Sequence, residues 1–332
     1  MRIYYPQYYK QFACIAAACP DSCCHEWEVD VDEQAAAYYR SLPGDLGDRL
    51  RAVLRDTDVG TCMTIENGRC PMWRQDGLCR IQAELGHDAL CHTCRTFPRL
   101  RHDYGDFLEL GLELSCPEAA RLILSGQGQS ICVETAESST DPDYDKEVMS
   151  TLLTSRNAFR NFLDSASCTV PQMLTVLLLY AHDVQSEIDG GEPAVLDPKS
   201  ALAVAKKCAA VGHIASVIDF FKNLEVLTDR WKNRLERPCP TPWTDDYRHL
   251  IRYFVDRYWL QAVSDFDLIC RAKLIVTACL LIRNLGGDLI QTAQLFSKEI
   301  ENDPDNLEAI LDGAYTSPAL TDLNLLSLLA NS

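Results

Sequence analysis

The chain has 332 residues, 47% of them hydrophobic and 24% charged, and carries a net charge of −17. That is enough material for one or two packed cores; the acidity excludes a nucleic-acid partner, whose phosphates need a basic surface, and suits solubility or a partner that presents lysines. No apolar run approaches the ~18 residues of a membrane span and residues 1–17 hold no uninterrupted apolar leader, so a cytoplasmic location is expected, where thiols stay reduced.

Taken in order, residues 31–44 begin with acids and end at Pro-Gly, which predicts a short helix, and residues 45–56 predict another. Residues 106–116 alternate and should be extended. Ser115 and Glu118 then have capping-box spacing, with Pro117 in the first helical turn and Gly126 past the end. Cys116 would sit in that first turn, where the helix dipole should favour its thiolate. Residues 125–145 are polar and rich in turn formers. Beyond them residues 145–164, 170–188, 196–227, 244–263 and 267–287 place apolar side chains at helical intervals, and the Gly-Gly at 286–287 stops the last. The expected architecture is mainly α. An irregular, cysteine-rich, metal-stapled region (1–125) is joined by a linker or surface loop (126–145) to a C-terminal helical bundle (146–332).

Sixteen cysteines in a reducing compartment point to metal or redox chemistry rather than disulfides. Ten of them lie between Cys14 and Cys116, grouped as Cys14, Cys19, Cys23 and Cys24, then Cys70 and Cys79, then Cys91 and Cys94, then Cys116, with Cys62 apart. The other six (Cys132, Cys168, Cys208, Cys239, Cys270 and Cys279) are scattered, several inside apolar runs, and read as small core hydrophobes. Thiolates select zinc, copper(I) or iron–sulfur clusters, and a loop-rich region gains its folding energy from such a centre. The spacings match no zinc finger or ferredoxin run. A C-x3-C-x2-C reading from Cys19 and Cys23 ends on Glu26 instead of a cysteine. His25, His87, His92 and His102 lie near the thiols in sequence and are secondary ligand candidates. Arg95, Arg99 and Arg101 form a basic string beside Cys94; an arginine fork suits a carboxylate, and an ordinary surface ion pair is the competing role.

The blocks "YYKQFACIAAACPDSCCHEWEVDVDEQAAAYY", "CPMWRQDGLCRIQAELGHDALCHTCRTFPR" and "LELSCPEAARLIL" resemble the signature segments of the FliB-type flagellin lysine-N-methylases, over residues 4–124 and more loosely over 250–282. The matching positions are Cys19, Cys23, Cys24, Cys70, Cys79, Cys94 and Cys116, with Cys14 beside them; Cys116–Glu118, Pro98–Arg99 and Trp27 also match, Trp27 as a packing residue. The resemblance implies methyl transfer from S-adenosylmethionine to lysine side chains of flagellin. It also implies a [4Fe–4S] cluster, or alternatively zinc, held by Cys14, Cys19, Cys23, Cys24, Cys70, Cys79, Cys94 and Cys116. Arg95 or Arg99 would hold the carboxylate of the methyl donor. No strand followed by a glycine-rich turn and helix is present to bind that donor in the usual way. It should therefore bind at the cysteine region, or at its junction with the helical domain. The reading from a different class is a non-enzymatic zinc- or iron-binding scaffold with structural cysteines.

Overall fold

The computed structural model describes residues 1–25, 28–136, 140–207 and 212–332. Trp27 and Cys208 therefore lie outside the described residues. The fold is mainly helical, as expected, but its first third is organised by two small sheets. The strands are β1 (Arg2–Pro6), β2 (Val29–Val31), β3 (Leu54–Thr57), β4 (Gly60–Met63), β5 (Arg99–Asp103), β6 (Phe107–Leu112) and β7 (Ile131–Thr135). The helices interleaved with them are α1 (Tyr8–Gln11), α2 (Glu33–Ser41), α3 (Gly44–Val53), α4 (Arg80–Leu85), α5 (His92–Thr96) and α6 (Pro117–Leu124). Then follow α7 (Lys146–Ser165), α8 (Val170–Ile188), α9 (Pro198–Lys207), α10 (Ile214–Lys222), α11 (Asp229–Glu236), α12 (Tyr247–Tyr258), α13 (Ile269–Leu285), α14 (Leu289–Phe296), α15 (Pro304–Thr316) and α16 (Asp322–Ala330).

The first sheet runs β5-β6-β1-β7. Strand β1 is parallel to β6, whereas β1–β7 and β5–β6 are antiparallel. A parallel pair needs a long crossover, and between β1 and β6 the chain makes the whole cysteine-rich lobe. The second sheet, β2-β4-β3, is antiparallel and lies inside that lobe. Val29, Val31 and Met63 point inward from it onto Tyr39 and Leu50, so the lobe has a small core of its own that also takes in Cys70 and Cys91.

The larger core belongs to the helices. Helix α13 is buried on almost every face, including Cys279 at 0% exposure, which marks a central helix rather than a surface one. It stops where the sequence said it should. Gly286 takes φ +69°, and a Cβ there would meet the Cys239 carbonyl. Trp259, fully buried, stacks on Phe159 and donates Nε1–H to Ser155 Oγ at 3.0 Å. Tyr8, Phe12, Phe107 and α6 join this same core, so the first sheet is packed on the helices.

Three sequence expectations change. The segment at 126–145 contributes edge strand β7, paired to β1 from Arg2↔Thr135 to Pro6↔Ile131. The helical pattern at 196–227 becomes α9 and α10, with residues 208–211 outside the described part. The capping box of α6 does not form: Cys116 occupies the cap position, Ser115 donates its hydroxyl to Glu113 at 3.0 Å, and Glu118 pairs with Arg121.

Candidate functional site

Every described cysteine is a free thiol. The lobe gathers six of them. The Cys70 amide donates to the Cys24 carbonyl at 2.8 Å, which places the two side chains beside each other. The Trp73–Cys79 bridge folds the next loop back onto them. Cys91 and Cys94 stand at the start of α5, one turn apart. Their thiols are hydrogen-bonded to each other, as are Cys23 with Cys24 and Cys24 with Cys70. Cys79 lies within electrostatic reach of Cys23 and Cys91, and Cys94 within reach of Cys24 and Cys79.

Protons follow this crowding. The Cys91 thiol is lowered to about 7, chiefly by its bond to Cys94. The same bond, then burial, raises Cys94. At Cys24 the bond to Cys23 acts downward, but the bond to Cys70, burial and nearby thiols outweigh it and push the group up to about 12. Buried sulfurs this close cannot all ionise without a cation among them. Cys19 and Cys116 form an adjoining neighbourhood, Cys116 within electrostatic reach of Cys19 and Cys23. The dipole argument for Cys116 fails: burial raises its thiol to about 11, against a smaller lowering by the amides of Ala119 and Glu118. Cys14 is exposed, its Sγ accepting from the Ala16 amide at 3.4 Å.

Of the predicted ligands, Cys23, Cys24, Cys70, Cys79 and Cys94 are thus brought into one group. Cys19 and Cys116 border it and Cys14 lies at its edge. Cys91, absent from the predicted set, is a member. The donors fit a thiophilic metal by their chemistry: soft, mutually repelling and free of disulfides, with Cys70 and Cys91 buried, Cys24, Cys79 and Cys94 half-buried and Cys23 exposed. Their arrangement is one of pairs. Among the described residues no three His, Cys, Asp or Glu side chains converge at metal-holding geometry. Thiols sense each other over longer distances than a metal bond spans, and what the lobe assembles is a group of thiol pairs.

Asp32 fastens this group to its lobe. One carboxylate oxygen caps α2 through the Ala35 amide at 3.0 Å, and the other accepts from the His92 amide at 2.7 Å, next to Cys91. Asp32→Ala is expected to cost about 1–2 kcal/mol, the upper range for a lost cap, and to expose the Cys91–Cys94 loop. Urea unfolding and the rate of thiol alkylation would measure the two effects.

A cavity of about 1070 Å³ lies between the first sheet and helices α7 and α12. The registers Tyr4↔Glu109, Tyr4↔Val133 and His102↔Glu109 put these four side chains on one face of the sheet, and Phe107 and Gly111 follow from the two-residue period. That face lines the cavity. The opposite wall is a stripe of α7 (Leu153, Arg156, Asn157, Arg160, Asn161) and one of α12 (Arg252, Tyr253, Asp256, Arg257), both at helical spacing. Arg156 is 1% exposed and grips Glu109 with both fork nitrogens. Arg160 holds Asp256 at 2.6 Å, and Arg252 holds Asp164 at 2.6 Å. The Nε of Arg156 and the Nε2 of His102 are shielded from water and make no hydrogen bond, and the Nε of Arg252 faces Asp256 at 4.0 Å. Burial, then the charges of Arg257 and Arg156, hold His102 below the usual imidazole range despite Glu109, so it is neutral at pH 7.

Arg95 and Arg99 are exposed and do not line this cavity. Arg99 lies over the Phe12 and Tyr9 rings, and Arg101 pairs with Asp103. His25 faces Trp73 edge-on, the His92 side chain is exposed, and His87 lies beside Asp88. The sequence reading missed the cavity. Its signal was charge placed at i, i+4 on two amphipathic helices: Arg156 with Arg160, and Arg252 with Asp256.

Flagellar biosynthetic protein FliU of Salmonella muenchen is 31% identical over 130 residues, covering 36% of this chain and 75% of that protein. The chain belongs to the FliB-type lysine-N-methylase family. Two proteins named lysine-N-methylase, from Salmonella typhimurium and Salmonella choleraesuis, are also 31% identical over 130 residues. In these FliB-type relatives the match spans about a third of their length, 32% in each. No family model matches the chain, and no solved structure does. Among the described residues no helix is long and apolar enough to cross a membrane.

Proposed function

We propose that the protein methylates lysine side chains of flagellin, using S-adenosylmethionine as donor and a metal centre of iron–sulfur type on the N-terminal thiols. The observation that carries this reading is the kinship with proteins named lysine-N-methylase. The grouped thiols support the metal. Cys23, Cys24, Cys70, Cys79, Cys91 and Cys94 would hold it, with Cys19 and Cys116 as the adjoining pair. Such a centre supplies one-electron or Lewis-acid chemistry when bound, and its ligation stabilises the lobe.

A lysine ammonium, with a pKa of about 10.4, must lose its proton before nitrogen can attack a methyl group. The base for that proton is not assigned, since burial and the charges of Arg257 and Arg156 disfavour an imidazolium at His102.

Incubating the metal-replete protein with S-adenosylmethionine and flagellin from the same source should give methyl mass increments on flagellin lysines. Unmodified flagellin in the presence of full metal content would overturn the enzymatic reading. The partial match to the lysine-N-methylases favours a second reading, a metal-binding scaffold without catalysis, and that outcome would select it.

A further inference from the structure

We propose that the cavity between the first sheet and helices α7 and α12, rather than the thiol group, binds an adenosine-bearing small molecule through its anionic end. The choice of S-adenosylmethionine as that molecule rests on the methyl-transfer reading; the site itself rests on the cavity.

Its volume, about 1070 Å³, is at the upper end of small-molecule sites. Its two walls differ in chemistry. The helix wall presents guanidinium groups from Arg156, Arg160, Arg252 and Arg257. Arginine forks match a carboxylate or phosphate in shape as well as charge. The sheet wall is aromatic, with Tyr4 packed edge-on to Phe107. A purine has the flat apolar face that such rings accept.

The ion pairs Arg156–Glu109, Arg160–Asp256 and Arg252–Asp164 do not cancel this reading. They hold the forks rigid, so an incoming anion meets donors already ordered. The lining as a whole carries five arginines, Arg2 included, against the three carboxylates of Asp106, Glu109 and Asp256, so it favours an anion. The chain also lacks the glycine-rich turn that would bind a nucleoside elsewhere.

Gly111 makes the idea testable. It lies on the cavity face of β6, and a Cβ there would meet only Leu100, at 3.8 Å or more. Phenylalanine suits a strand and would fill the cavity from its sheet wall. Isothermal titration of the full chain with S-adenosylhomocysteine, which has no transferable methyl, should show saturable binding. Gly111→Phe should weaken it at least tenfold, with metal content and melting temperature unchanged. Val133→Trp, from the edge strand, is the second blocking variant should Gly111→Phe misfold. ATP in a parallel arm separates a nucleotide site from a methyl-donor site. S-adenosylhomocysteine binding that survives both variants overturns the proposal, and so does the absence of saturable binding by either compound; tight binding of ATP alone supports the site and removes the methyl donor as its ligand. If the adduct binds as expected but flagellin is not methylated, the site stands and the enzymatic reading falls.

Discussion

Replacing Glu301 with alanine is expected to destabilise the protein by about 3–5 kcal/mol, the range for removing one partner of a buried ion pair. The Glu301 side chain is 1% exposed and accepts from three groups. Tyr253 donates at 3.0 Å, Tyr258 at 2.8 Å, and the Arg257 guanidinium lies at 3.2 Å. The carboxylate reaches them because residues 297–301 form a π-helical turn after α14, a local widening often found where a side chain must be re-aimed. Without it, Arg257 keeps only Glu113 at 3.5 Å and the Tyr253 hydroxyl. Burial raises the Glu113 carboxyl above its usual range, against the charge of Arg257, and at 3.5 Å it is a more distant counter-charge than Glu301, so the buried cation would be less well compensated. Urea unfolding at pH 7 measures the loss. The double variant Glu301→Leu with Arg257→Met should recover much of it, since an apolar pair of similar volume needs no counter-charge. A single-variant cost below about 1 kcal/mol, the level of an exposed pair, would show that the network is solvated.

This network also connects the two functional regions. Arg257 and Tyr253 line the cavity. Glu113 accepts from Ser115, whose carbonyl accepts from Gln294, and Gln294 donates to Asp21 two residues before Cys23. The link is continuous in hydrogen bonds from the arginine wall to the thiol lobe. Its consequence is mechanical: helix α14 cannot shift without disturbing both ends.

How much of this could be read beforehand depends on the length scale of each signal. Helices α7, α8, α12 and α13 are long, and their periodicity gave both existence and ends. The strands are 3 to 6 residues long, and β2 has only Val29 and Val31 to alternate, too few for a period-two pattern to register. The α6 cap was misread because Ser115 had a better acceptor in Glu113, a competition that spacing does not reveal. Cys91 was passed over because it is not among the positions that match the family segments; in three dimensions its neighbours are Cys94 and Cys79. The cavity was not legible because Glu109, Arg156 and Arg252 are distant in sequence and each reads alone as a surface charge. The thiol density was legible, since ten of the sixteen cysteines fall between Cys14 and Cys116.

Substituting serine for Cys24, Cys70 and Cys94 together is expected to abolish metal binding and to unfold the cysteine-rich lobe while the helical core stays intact. Serine keeps volume and hydrogen bonding but is a poor ligand for a thiophilic metal. The three positions break every hydrogen-bonded pair, taking one thiol from Cys23–Cys24, one from Cys91–Cys94 and both from Cys24–Cys70. The lobe core is small, twelve buried side chains from Val29 to Cys91, and a core of that size needs a staple. Structural metal contributes about 10–16 kcal/mol in peptides that fold around it, so its loss should outweigh any single contact in this lobe. The helical core holds Trp231 and Trp259 at 0% exposure, whereas Trp73 stands in the lobe. Elemental analysis would report the metal. A wild-type protein treated with chelator should show the same two-step melting as the triple variant, the early step in the lobe and the late one in the helices. Cys279→Ser is the control, since that thiol is buried in α13 away from the group; it should lower the late step and leave the metal in place. Full metal content in the triple variant would mean that the centre, if any, lies on Cys14, Cys19 and Cys116, and the paired thiols would then be core.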